Sequence, residues 1–190
     1  MDRLARTLPA WQWFEGHVFK TSAVSLAVIV GEAGDLSRYA NPAKLWKRMG
    51  VALVGDVRQG GLAKNAAKAE WIAHGYSRQR RSRLWNIGDS LVKKQGYLRE
   101  VYLARKAYER VKAEARGLTV APAAKIPAKR AAEFMSDGHV HRRAQRYMEK
   151  RMLRDLWSAW RAASISAEPT TSLPPATISD AGDEPARAAR

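Results

Sequence analysis

Four arginines fall within six residues, Arg78, Arg80, Arg81 and Arg83, at the head of a segment with helical apolar spacing. A guanidinium presents forked donors that match phosphate oxygens, and the free N–H groups of a helix N-terminus attract the same anion. No Asp or Glu lies between Glu70 and Asp89 to neutralise the cluster locally. Phosphate contact is therefore the expected use, ahead of a solvated face of surface ion pairs. A second set, Arg142, Arg146, Lys150 and Arg154, recurs every four residues and lines one side of a helix, with Arg143 and Arg151 flanking it. Glu149 and Asp155 stand close to this ridge, which leaves phosphate binding and structural pairing equally open there. Trp46, Trp71 and Trp85 lie near these cations. Unpaired bases stack on such faces, although a Trp at helical spacing is more often buried for its area.

Other chemistry is sparse. His139 and His141 are two apart, which points them to different helix faces, and no His-Glu-x-x-His spacing or carboxylate cluster completes a metal site. Gly-x-Ser-x-Gly and Walker-type loops are absent. The absence of cysteine excludes disulfides and thiolate ligands and fits a reducing compartment. These residues predict binding rather than catalysis, with no metal and no cofactor.

The composition agrees. The 190 residues hold 34 Lys+Arg against 18 Asp+Glu, a net charge of +16, and such an excess attracts polyanions. Residues 165–190 turn to Pro, Ser, Thr, Ala and Asp and read as a disordered tail. That tail carries four carboxylates against Arg187 and Arg190, which leaves +18 on residues 1–164. Seven Trp, six Tyr and 46% hydrophobic residues supply a core for one domain over residues 8–164. The longest apolar run, residues 23–30, is far short of the roughly 20 needed to cross a bilayer, and no signal peptide is visible. A cytoplasmic, nucleoid-associated protein with no membrane partner is expected.

The elements that must position these residues are mainly α. Trp11, Phe14 and Val18, then Val24, Leu26, Ala27 and Val30, predict a short helical pair closed by Gly31 and Gly34. Asn41-Pro42 predicts a capped helix carrying Leu45, Trp46 and Met49. A small β-hairpin or loop is expected over 51–62, and two stacked helices over 77–94 and 97–114 with a pause at Gly96. An Ala/Pro linker over 118–128 then leads to a last long helix after Asp137-Gly138.

The run Ala27-Val-Ile-Val-Gly31-Glu-Ala-Gly34-Asp35-Leu-Ser-Arg-Tyr39, followed by Asn41-Pro42-Ala-Lys44-Leu45-Trp46-Lys-Arg-Met-Gly50, resembles the C-terminal domain of the DEDD-type insertion-sequence transposases, the bridge-RNA-guided serine recombinases. Gln59-Gly60-Gly61, Tyr76 to Ser82 with Ile87-Gly88-Asp89, and His141 to Arg151 extend the resemblance over most of residues 8–161. It implies DNA transposition as the function, DNA and a guide RNA as partners, and a homo-oligomer on DNA. It also implies a helix-hairpin-helix-like N-terminal part, whose phosphate-binding turn falls near residues 19–23. Here Lys20, Thr21 and Ser22 replace the usual glycines, which favours plain helix packing.

Family members cleave DNA with an N-terminal nuclease-like domain bearing four metal-binding acids and a C-terminal serine. This sequence is expected to lack the first module and to depend on a separately encoded nuclease-like subunit, or to be a remnant. The family's Ser-Gly pair aligns with Gly60-Gly61, and glycine cannot be a nucleophile. Ser77 or Ser82 beside the arginines is the remaining catalytic candidate, and Ser77 equally suits a helix cap. Two readings stay open: a DNA-binding transposase-family domain, and a non-enzymatic DNA- or RNA-binding protein that kept the fold and lost the reaction.

Overall fold

Apolar residues at helical spacing become helices through most of the computed structural model, which describes residues 1–18, 23–63 and 65–167. The N-terminal part consists of α1 (Asp2–Ala5), α2 (Trp11–His17) and α3 (Ala23–Ala33). Trp11 and Phe14 from α2 meet the core beside Leu26 and Ile29 from α3. Gly31 sits inside α3, and the chain leaves the helix at Gly34, whose φ of 82° suits a residue without Cβ. The expected phosphate-binding turn falls, over residues 19–22, outside the described residues.

Asn41 caps α4 (Pro42–Arg48) as the sequence predicts, its side chain accepting from the Lys44 N–H at 3.2 Å. The small hairpin follows as β1 (Leu53–Val54) and β2 (Val57–Arg58), paired antiparallel. Next comes α5 (Lys68–His74), which the sequence does not announce: His74 is its one buried residue, so it has no apolar stripe to read. The stacked helices are α6 (Arg78–Lys93) and α7 (Tyr97–Glu114), separated by Gly96 at φ 139°.

Two expectations need correction. Residues 118–128 are no simple linker, because Thr119–Ala121 forms β3 and pairs parallel with β4 (Phe134–Ser136) across two short 3-10 turns. Leu118 and Val120 pack there on Ala113, Met135 and Val140, a small apolar cluster that holds the excursion in place. The last helix, α8 (Asp137–Ala167), also runs past residue 164 into the segment expected to be a disordered tail. Ser and Ala tolerate a helix until a proline removes the next donor, and the first proline is Pro169. The rest of the expected tail, 168–190, lies outside the described residues.

The long α8 is the spine. It buries Ala144, Met148, Met152, Leu153, Leu156 and Trp160 against α2, α4, α6, α7 and the 3-10 turn Leu36–Arg38. Three indole N–H groups fasten it further. Trp46 donates to the Lys150 carbonyl at 3.0 Å, Trp157 to the Tyr39 carbonyl at 2.9 Å, and Trp160 to the Asp35 carboxylate at 3.0 Å. Each joins residues more than 100 apart in sequence, so α8 is locked in register against the N-terminal half.

Candidate nucleic-acid interface

A cleft of about 270 Å³ opens where β2, the start of α6 and the start of α8 meet. Five arginines line it: Arg58 from β2, Arg78 and Arg81 from α6, and Arg142 and Arg146 from α8. Among the described residues no carboxylate lines it, and Tyr76, Ser82 and Trp85 are also part of the wall. Burial and the neighbouring charges of Arg81 and Arg58 push the Arg146 guanidinium below its ordinary pKa. Crowded, half-buried cations of this kind gain most when an anion enters between them.

The floor is built by Gln59, which is buried and fully used. Its Oε1 accepts from the Ala52 N–H at 3.0 Å, and its Nε2 donates to the carbonyls of Lys47 and His74, both at 2.9 Å. Gly60 follows at φ 77°, and a Cβ there would meet the Tyr76 ring at 2.8 Å. Gly60 is thus required by the turn and by the aromatic ring laid over it. Ser77 caps α6 by accepting from the Arg80 N–H at 3.3 Å, which commits its hydroxyl to structure. Ser82 is exposed in the cleft, but among the described residues neither a histidine nor a carboxylate lines it to take a proton from the hydroxyl.

The arginines of the two sequence clusters divide between cleft-lining and ion-paired positions, and Arg81 holds both. Arg81 is buried, 3.0 Å from Glu149 on α8, with its guanidinium 5.5 Å from the Trp85 ring. Glu149 is wholly buried, and desolvation raises its carboxyl to about 7 against the opposing pull of Arg81 and Gln145. A Cβ on Gly88 would lie 2.6 Å from the Glu149 Oε1, so that glycine makes room for the pair. The expectation that no acid neutralises the first cluster is corrected here: Glu149 serves Arg81, and Glu32 of α3 serves Arg80 and Arg83. Both acids are distant in sequence, which hid them from a local reading.

The α8 ridge splits too. Arg142 and Arg146 face the cleft, whereas Arg143 turns to Glu109 of α7 at 3.2 Å and Lys150 lies over the Trp46 ring at 5.2 Å. Arg151 and Arg154 both pair with Asp155. Trp46 is therefore structural on both its ring face and its N–H, and Trp85 is the sequence-predicted aromatic that reaches the cleft. His141 is engaged with the Tyr102 hydroxyl at 2.9 Å.

Sequence reasoning missed Arg58 and an entire second cleft. The latter, about 500 Å³, is lined by Arg38, Lys44, Lys47, Arg48 and Arg80 beside Tyr39. The spacing of Lys44, Lys47 and Arg48 on the polar side of α4 was the available signal. Among the described residues, no group of three or more His, Asp or Glu side chains could hold a metal ion, and no helix is long and apolar enough to cross a membrane. Comparison with protein-family models, curated proteins and solved structures finds no match.

Proposed function

We propose that this chain is a DNA-binding domain of the transposase and recombinase kind, gripping phosphodiester backbone in the five-arginine cleft. The observation that carries this reading is the convergence of Arg58, Arg78, Arg81, Arg142 and Arg146 from three separate elements on a wall to which no described residue brings a carboxylate. A fold does not assemble like charges in one cleft for its own stability, since they repel. Phosphate neutralisation supplies the compensating attraction. In this reading the chain holds DNA and leaves strand cleavage to a partner subunit, because Gly60 has no room for a side chain and Ser77 is a helix cap.

A gel-shift titration of the full chain on duplex DNA at 50 and 200 mM salt tests it. Four phosphate contacts, from Arg58, Arg78, Arg142 and Arg146, predict a loss of affinity of roughly 150-fold between the two. Absent or salt-insensitive binding would sink the reading. Ser82, exposed among the arginines, is the one observation favouring a catalytic alternative. A covalent protein–DNA adduct that disappears in Ser82→Ala would establish that alternative, and the binding reading predicts none.

A further inference from the structure

The outward face of α6 carries a stripe that phosphate contacts leave unused. Gln79, Ser82, Asn86 and Ser90 are all exposed and are spaced three, four and four residues apart, on one side of the helix. Each has an uncharged side chain able both to donate and to accept hydrogen bonds. Among the described residues, the side chains of Gln79, Ser82 and Asn86 have no hydrogen-bond partner within the protein, whereas Ser90 bonds back to the Asn86 carbonyl at 3.0 Å. In a chain this rich in charge, an exposed stripe of uncharged donors and acceptors suits base edges better than solvent.

Its flanks carry arginines, of which Arg78 has no ion pair among the described residues while Arg80, Arg81 and Arg83 are paired with Glu32 and Glu149. At 100° per residue, the stripe falls between Arg78 and Arg81 on one side and Arg80 and Arg83 on the other. Arg78 and Arg81 belong to the five-arginine cleft, and Arg80 to the second cleft with Arg38, Lys44 and Lys47. A helix with its side chains is about 10–12 Å across, and the major groove of B-form DNA is about 12 Å wide. Resting on the proposed function above, we propose that α6 is a base-reading helix. It enters the major groove of duplex DNA, with Gln79, Ser82 and Asn86 meeting base edges while the two clefts hold the two bordering backbones. The Asp89–Lys93 ion pair, at 2.5 Å, interrupts the uncharged stripe and marks where reading stops. Gln and Asn side chains pair in bidentate fashion with adenine, so the bound site contains adenine at the contacted positions. Double-stranded RNA fits poorly, its major groove being deep and narrow.

The test is selection from randomised duplex DNA with the full chain, followed by affinity measurements on the selected and a scrambled duplex. The wild type should enrich a defined sequence. Gln79→Ala should weaken the selected duplex about 5- to 150-fold, leave the scrambled one within about twofold, and keep the salt slope. Lys44→Glu with Lys47→Glu should weaken both duplexes equally and lower the slope. Salt-steep duplex binding that enriches no sequence would overturn groove reading while leaving backbone binding intact, and no duplex binding at all would remove both. A preference that survives the Gln79→Ala, Ser82→Ala, Asn86→Ala triple variant, or stronger binding to double-stranded RNA, would also overturn it. Undiminished binding after the two lysine reversals would remove the second cleft.

Discussion

Two residues, Gly60 and Glu149, set the conditions under which the cleft exists. At Gly60 a positive φ and the Tyr76 ring at 2.8 Å from any Cβ act together, so Gly60→Ser is expected to strain the backbone by about 1–3 kcal/mol. A thermal melt should show this as about 2–4 °C of Tm for each kcal/mol. Glu149 gives the pH dependence. Its folded pKa of about 7 lies above its ordinary value, so the folded state binds the extra proton. The contribution is present at low pH and is lost as pH rises towards 7. Relative to Glu149→Gln, which cannot titrate, the wild type should lose about 3 kcal/mol between pH 4.5 and 7.5. Paired denaturant melts at the two pH values check the sign. Asp35, Glu109 and Asp155, held low by hydrogen bonds and arginines, work in the opposite direction and cancel in that comparison.

At the scale of elements, Ser77 separates structure from chemistry. Ser77→Ala should cost about 1 kcal/mol of stability through the lost cap of α6, yet leave the salt dependence of DNA binding unchanged. The capped start of α4, the break at Gly96 and the hairpin after Val51 were legible because each rests on local chemistry: Asn41-Pro42, a glycine, a short β-prone run. What stayed hidden depends on distant partners. Glu32 and Glu149 neutralise arginines 48 or more residues away along the chain, and the pairing of β3 with β4 needs an apolar cluster that forms only once α7 and α8 are side by side. The cleft was half legible for the same reason. Arg78 and Arg142 lie in visible clusters, whereas Arg58 sits alone in sequence and becomes part of the site only when the hairpin folds against α6.

For the molecule as a whole, the 34 lysines and arginines are put to different uses. Some are consumed internally, in the pairs that Glu32, Glu109, Glu149 and Asp155 make with arginines on α6, α7 and α8. Others line two clefts that share the first turn of α6 and are braced from behind by Gln59. The most direct test of the cleft as the interface is the salt dependence of duplex affinity for the wild type and for the double variant Arg58→Ala, Arg142→Ala. Both side chains are exposed and carry no ion pair within the described residues, so the fold should survive their loss. The slope of log affinity against log salt should become shallower by about 2, close to 0.9 for each lost phosphate contact. An unchanged slope would place the DNA elsewhere and contradict the account.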